Sequence, residues 1–314
     1  MIKDTLMQLT TPMGVSGNED EVRSCIEGMK PSIYTSTVDH IGNLIWSNAP
    51  VGVKYLFTAH MDEIGLMVSG YDKTRLKISA VGGIDPRTLP NTQWVCDKGT
   101  RGVIGLPAPH ITKNRDKVIA IDDLRMDVGI DNPKELQEAF PTGTVFVSDN
   151  QPFTTGDNFF SRNTDNRAGC AALVELANLL SDVEGVSFAF LVREEIGLMR
   201  ARAHINANLN AEYIINLDVC VKEGLGKGAV ISLKDGGYMA DKGMVESFRE
   251  LGAKNFEVGG GGTSDHAVGQ LFAKTCGVSF PSLYIHSGVS KVNIRDIEDA
   301  VNLCKWFVNV KENK

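Results

Sequence analysis

The chain of 314 residues is 42% hydrophobic and 23% charged, which supplies a sizeable core and argues against disorder. Its 32 basic and 39 acidic side chains give a formal net charge of -7 without any basic block, so the charge pattern excludes a nucleic-acid-binding footprint. No stretch reaches the roughly 18 uninterrupted apolar residues of a membrane span, and we expect no membrane partner.

Six cysteines are scattered through the chain without a C-x-x-C pair. This distribution fits neither a zinc knuckle nor a disulfide framework. Free thiols are typical of a reducing compartment, so the sequence predicts a soluble cytoplasmic protein.

The first part of the chain alternates helical and strand patterns. Residues 2–9 predict a short helix, residues 11–17 are rich in turn formers, and Asn18 is expected to cap a second helix whose first turn is acidic. An apolar strand then begins at Lys54 and ends in the segment 60–63, which reads His-Met-Asp-Glu.

The pattern changes between residues 65 and 153. Short apolar pieces alternate there with Gly, Pro, Asn and Asp turns, which is typical of a small β-barrel or β-sandwich. From Asp165 onward, helices and strands alternate as they do in an α/β fold. The chain is therefore predicted to be an α/β core interrupted by an inserted β module.

Four predicted strands end in side chains that can bind a metal ion, and a fifth candidate begins a helix. In chain order these residues are His60, Asp165 at the start of the helix, the adjacent pair Glu194 and Glu195, Asp218 and His286. Ligands of an open α/β sheet bind beyond the carboxyl ends of its strands, so we expect these side chains at one rim. Imidazoles and carboxylates together suit zinc, cobalt or manganese.

The number of candidate ligands indicates two metal ions rather than one. A carboxylate can bridge two ions about 3.5–4 Å apart in a hydrolytic site and leave room for a water nucleophile. Adjacent residues that leave a strand point to different sides, so one member of the pair Glu194-Glu195 can bind metal while the other serves as general base. Asp62, two residues after His60, is placed to orient a metal-bound imidazole.

Four histidines and one glycine-rich run are not assigned to the site. A single histidine is more often structural or exposed than a ligand, so we set aside His40, His110, His204 and His266. The glycine-rich run 258–263 lacks the lysine of a phosphate-binding loop, which argues against a nucleotide site.

Six short motifs follow one another in a distinctive order: HMDEIG at 60–65, GVIG at 102–105 with PH at 109–110, DNR at 165–167, EEIGL at 194–198, LDV at 217–219 and YIHS at 284–287. Together they resemble the dinuclear-metal aminopeptidases of the tetrahedral (TET) type, a group that includes glutamyl aminopeptidases and proteins often labelled endoglucanases. The resemblance covers essentially the whole chain. Thr164, Leu283 and the segment 263–266 depart from the family pattern.

The resemblance implies a zinc-peptidase-like α/β/α catalytic domain formed by residues 1–64 and 154–314. A small β-barrel dimerisation domain over residues 65–153 would interrupt it. Dimers of such proteins assemble into a tetrahedral dodecamer, so a homo-oligomer that trims peptides is expected.

The resemblance also implies a role for each candidate residue. Two divalent ions, with zinc favoured over cobalt or manganese, would be bound. One ion would be held by Asp165, Glu195 and His286 and the other by His60, Asp165 and Asp218, with Asp165 as the bridge. Glu194 would be the general base, and Asp62 would orient His60.

We therefore predict a metallo-aminopeptidase, with two alternatives. A glycoside hydrolase uses two carboxyl groups about 5–9.5 Å apart and no metal, which leaves His60, Asp218 and His286 without a role. A self-assembling peptide-binding shell with structural metal ions has no need of Glu194 as an additional base.

Overall fold

The computed structural model describes residues 2–49, 52–108, 110, 118–197, 209–259 and 266–312, with the backbone alone of His266. His204, residues 260–263 of the glycine-rich run and residues 264–265 lie outside this part of the chain. Pro109 and Leu198 of the quoted motifs also lie outside it.

Helices and strands alternate along the described residues. The helices are α1 (Ile2–Leu9), α2 (Asp20–Glu27), α3 (Pro133–Ala139), α4 (Thr164–Leu179), α5 (Lys242–Glu250), α6 (His266–Gly269) and α7 (Ile294–Glu312). The strands are β1 (Thr35–Val38), β2 (Leu44–Ser47), β3 (Tyr55–His60), β4 (Gly65–Asp72), β5 (Arg75–Val81), β6 (Thr92–Cys96), β7 (Arg101–Ile104), β8 (Arg125–Met126), β9 (Val145–Ser148), β10 (Phe153–Thr155), β11 (Asn158–Ser161), β12 (Val186–Leu191), β13 (Tyr213–Val221), β14 (Val230–Asp235), β15 (Tyr238–Met239), β16 (Asn255–Val258), β17 (Lys274–Leu283) and β18 (Ser290–Asn293).

The larger sheet has the strand order β1-β2-β12-β3-β13-β17-β18-β11-β10, and β14 to β16 extend it beside β17. Its four central strands, β12, β3, β13 and β17, are mutually parallel. They are buried along nearly their whole length, which explains their continuous apolar runs. Because they run in one direction, their carboxyl ends lie at the same edge of the sheet.

Apolar packing covers both faces of this sheet. Helix α4 packs against β3 and β13, and α1 and α7 pack against α4. Phe57 and Ile215 belong to this core, whereas their neighbours Leu56 and Ile214 belong to a separate cluster. Successive side chains of a strand point to opposite faces, so the two clusters lie on opposite sides of the sheet. None of the described helices is long and apolar enough to cross a membrane.

The smaller sheet is barrel-like and has the order β7-β6-β9-β4-β5-β8. Two hydrogen bonds between the backbones of Val103 and Asp127, at 2.8 and 2.9 Å, bring β7 next to β8 and nearly close it. A separate core that includes Leu66, Trp94 and Phe146 fills it. The predicted mixed α/β fold with a barrel-like sheet is confirmed, while the division into two domains stays a prediction.

Three local predictions were wrong. Helix α2 begins at Asp20, and its N-cap is Glu19 rather than Asn18. Strand β13 continues three residues past Asp218, and β17, the strand predicted to end in His286, already ends at Leu283. Pairing with β17 carries β13 to Val221, and pairing with β18 carries β17 to Leu283, so sheet hydrogen bonds decide where these strands end.

A buried ion-pair cluster joins the two sheets to the N-terminal segment. Glu63, in the segment between β3 and β4, lies 2.8 Å from Arg162 Nε and 3.1 Å from Arg167 Nη2. Each guanidinium also donates to the backbone carbonyl of Pro12. All three charged side chains are buried, so each depends on the others for its hydrogen bonds.

Replacement of Glu63 by alanine should destabilise the protein by about 3–5 kcal/mol, because it leaves two buried guanidinium groups without their carboxylate. The loss should appear as a lower midpoint of urea unfolding, measured at one fixed protein concentration. The control is Glu138→Ala, which removes an exposed pair with Lys134 at 3.9 Å and should change the stability by less than about 1 kcal/mol. Equal, small effects of both substitutions would contradict this account of the cluster.

Candidate metal centre

The central strands separate where the candidate ligands begin. Pairing between β3 and β13 ends at Thr58 and Asn216, whose side chains share a hydrogen bond of 2.8 Å. Strand β13 then continues along β17 alone. His60, the last residue of β3, and Asp218 therefore flank a crevice, with 3.8 Å between His60 Nε2 and Asp218 Oδ1.

Asp165 enters the crevice from the start of α4. Its φ of -83° and ψ of 106° are not helical, so the backbone kinks there. The next residue, Asn166, donates a hydrogen bond of 2.9 Å to the carbonyl oxygen of Leu217 in β13. A side chain at Gly169 would place its Cβ 2.6 Å from that same oxygen, so only glycine lets the helix approach β13 this closely.

The Asp165 carboxylate lies between two imidazoles. Its Oδ1 is 3.1 Å from His60 Nε2, and its Oδ2 is 3.5 Å from His286 Nε2. His286 Nε2 is also 3.3 Å from Glu195 Oε2. The five predicted ligands thus form two groups that share Asp165, each with its ligand atoms within 4.8 Å of one another: His60, Asp165 and Asp218, and Asp165, Glu195 and His286.

Two of these ligands come from turns that follow central strands. Glu195 lies in a turn after β12, where the Gly197 N–H donates to the Glu194 carbonyl at 2.8 Å. His286 follows β17 and has a φ of 57°, in the left-handed region. The Ser287 hydroxyl donates to the carbonyl of Tyr284 in the same turn. His286 is the most exposed side chain of the set at 40%, so the centre opens to solvent on that side.

The electrostatic field of the site favours added positive charge. Burial lowers the pKa of His60, but the hydrogen bond with Asp165 and the nearby Asp62 carboxylate outweigh it, and the pKa lies well above its ordinary value. Burial, with the nearby Asp165 charge, raises the pKa of Glu195 well above its ordinary value. The hydrogen bond with Asp165 raises the pKa of His286 to about 9. Clustered carboxylates with imidazole nitrogens among them fit divalent cations such as zinc, cobalt or manganese.

Asp62 lies behind His60 and is completely buried. Its Oδ1 is 3.4 Å from His60 Nδ1, a separation longer than that of a well-formed hydrogen bond. The same carboxylate accepts hydrogen bonds from the backbone N–H groups of Glu194, at 2.9 Å, and Glu195, at 3.1 Å. Asp62 therefore contacts the imidazole and also holds the backbone of the glutamate pair.

Glu194 belongs to neither potential metal-binding group among the described residues. Its charge nevertheless contributes to the raised pKa of His60, which places its carboxylate near the centre. The two adjacent glutamates are thus in different environments. Their separate roles as ligand and base stay predictions.

Sequence reasoning missed several contacts around the centre. Ser16 and Glu19 come from the segment between α1 and α2, and Gly83, which follows β5, lies against His286 and contributes to its raised pKa. The one sequence feature that indicated these contacts was the turn-rich stretch 11–17 before an acidic helix.

His40 and His110, which the sequence analysis did not assign to the site, are exposed and belong to neither group of metal ligands.

Thr164, which departs from the family pattern, is held by a hydrogen bond to a neighbouring residue of the fold. Thr164 is buried, and its hydroxyl shares a hydrogen bond of 2.6 Å with Ser290 of β18. Ser290 also donates to the carbonyl of Ser161. A polar residue beside Asp165 therefore has its hydrogen-bonding partner inside the fold.

Comparisons with known proteins agree with this geometry. The family model described as M42 glutamyl aminopeptidase matches residues 42–303. The chain is 30% identical to a putative aminopeptidase of Acetivibrio thermocellus, over 96% of each chain. It is 28% identical to a lysyl aminopeptidase of Pyrococcus furiosus, over 93% of this chain and 92% of that one.

The fold is also similar to a solved TET1 peptidase of Pyrococcus horikoshii, which can assemble into a tetrahedron or a large octahedral shell. That comparison has a TM-score of 0.89 and 31% identity, and it covers 97% of this chain and 98% of the other. The predicted family and activity are therefore confirmed: the chain belongs to the M42 glutamyl aminopeptidase family and is a metallo-aminopeptidase.

Proposed function

We propose that the protein removes N-terminal residues from peptides with two divalent metal ions per chain. One ion is assigned to His60, Asp165 and Asp218, and the other to Asp165, Glu195 and His286. The observation that carries this proposal is the position of Asp165, whose two carboxylate oxygens face different imidazoles. A carboxylate in that position is suited to bridge two ions.

Each part of the site has a task in peptide hydrolysis. When bound, the divalent ions, for which zinc is our first assignment, lower the pKa of a water molecule and polarise the peptide carbonyl. Glu194 takes a proton from the attacking water and delivers it to the leaving amine. Asp62 holds the imidazole of His60 and the backbone of Glu194, so the proton acceptor and the ligand keep a fixed relative position. Substrate approaches from the exposed side of His286.

We assign the catalytic unit, an α/β/α domain, to residues 1–64 and 154–314, and subunit contacts to the barrel-like sheet within 65–153. The chain then forms a homo-oligomer built from dimers, up to a tetrahedral dodecamer. The assembly of the similar Pyrococcus horikoshii peptidase supports this. Val103 of β7 and Leu106, two residues after that strand, are exposed at 44% and 39%, as a contact surface requires. Six free cysteines are in keeping with action in the cytoplasm.

The variant Glu194→Gln should keep both metal ions but lose a factor of about 10²–10⁴ in kcat, because the amide cannot accept the proton. Aminoacyl-substrate kinetics together with metal analysis measure both properties. Glu184→Gln, at the exposed turn before β12, is the matched control and should leave both unchanged. Normal turnover of Glu194→Gln would remove Glu194 from the role of base.

Substitution of the shared ligand should remove more metal than substitution of an unshared ligand. Asp165→Asn should lose most of both ions, because its carboxylate belongs to both groups, whereas Asp218→Asn should retain the ion at Glu195 and His286. Elemental analysis after dialysis against dilute metal measures the bound ions per chain. Equal losses in the two variants would contradict a shared bridge.

Metal removal separates the aminopeptidase from a glycoside hydrolase. Complete chelation should abolish hydrolysis of aminoacyl substrates, and restored metal should return it, since the proposed mechanism requires the ions. Hydrolysis of polysaccharide that survives chelation would favour a glycosidase. Two bound ions without hydrolysis of any aminoacyl substrate would favour a peptide-binding shell.

A further inference from the structure

The loop between α1 and α2 lies directly against the segment that follows β3. Val15 forms an isolated parallel bridge with Glu63. The Glu63 N–H donates to the Gly14 carbonyl at 2.8 Å, and the Ser16 N–H donates to the Glu63 carbonyl at 3.3 Å. Ser16 is only 5% exposed. Backbone pairing therefore fixes Ser16 next to Asp62, at the rear of the metal centre.

The side chain of Ser16 completes the hydrogen bonding of Asp62. Its hydroxyl donates to Asp62 Oδ2 at 2.5 Å. Asp62 Oδ2 also accepts from the Glu195 N–H, and Oδ1 accepts from the Glu194 N–H. Three donors among the described residues therefore set the rotation of the Asp62 carboxylate. Two are backbone N–H groups, and the third is the Ser16 hydroxyl.

A second carboxylate from the same loop holds the preceding residue. Glu19 is 5% exposed, and its Oε1 accepts from the Gly17 N–H at 2.7 Å and from the Arg193 N–H at 3.2 Å. Arg193 has a φ of 59°, a left-handed conformation that a non-glycine residue keeps only when its surroundings hold it. Three successive N–H groups, at residues 193–195, are therefore bound by Glu19 and Asp62.

We infer that Ser16 and Glu19 are positioning residues for the hydrolytic reaction. Ser16 acts through Asp62, and Glu19 acts directly on the Arg193 backbone. Together they set the direction in which the Glu194 carboxylate leaves the turn. This inference rests on the proposed role of Glu194 as base. A displacement of about 1 Å in a reacting group can reduce the rate by about 10²-fold, so such control is sufficient to affect kcat.

The test compares Ser16→Ala with Ser16→Thr, both loaded with metal. Ser16→Ala should keep its fold and its bound ions, change KM by less than about threefold and lower kcat by about 10- to 100-fold. Ser16→Thr retains the hydroxyl and should recover most of kcat. Ser24→Ala, which removes an exposed hydroxyl of α2, is the control and should have normal kinetics. Equal kcat values for Ser16→Ala and the unmodified protein would overturn the role of Ser16.

Combination with Glu194→Gln distinguishes positioning from general loosening of the structure. If Ser16 acts through Glu194, Ser16→Ala should cause almost no further loss of kcat once Glu194 is glutamine. Multiplicative losses would show that Ser16 acts elsewhere and would overturn the inference. Normal turnover of Glu194→Gln alone would instead refute the proposed function, so the two failures are distinguishable.

Glu19 provides an independent test if Ser16→Ala does not fold. Glu19→Ala removes the acceptor of the Arg193 N–H and should lower kcat in the same way. Glu19→Gln keeps an oxygen acceptor and should retain most of kcat. Normal kcat in Glu19→Ala, or equal losses in both Glu19 variants, would overturn the positioning role of Glu19.

Discussion

Repulsion among buried carboxylates is the constraint on which the site depends. Asp165 has a carboxylate oxygen of Asp218 and one of Glu195 within 4.8 Å of its own ligand atoms. Two negative charges at about 4 Å repel by about 4 kcal/mol at an effective dielectric constant of 20. The protein places these groups together and intersperses His60 and His286. The arrangement is stable only when positive charge, from protons or from metal ions, occupies the spaces between them.

The parallel central strands and two loops bring these groups together. Strands β12, β3, β13 and β17 direct their carboxyl ends to one edge, and the separation of β3 from β13 opens the crevice. The N-terminal loop supports the centre from behind through Ser16 and Glu19. Gly83, after β5 of the smaller sheet, lies against His286. Both sheets and the N-terminal loop therefore determine the geometry of one site.

The sequence predicted the parts of this account that depend on short, regular patterns. Apolar strands that end in His60 and Glu194-Glu195 indicated the metal centre, and the change of pattern at Gly65 indicated the second sheet. Contacts between residues far apart in the chain could not be predicted from the sequence. Ser16 and Asp62 are 46 residues apart, and no local pattern marks their hydrogen bond. The end of β13 was also missed, because pairing with β17 carries that strand past Asp218.

We propose that Asp165 bridges two metal ions. Anomalous X-ray diffraction from crystals of the metal-loaded protein tests it most directly. We expect two peaks about 3.5–4 Å apart, with Asp165 in contact with both. Each peak should also lie about 2.0–2.2 Å from the oxygen and nitrogen ligands of its own group. A single peak, or two peaks of which only one contacts Asp165, would contradict it.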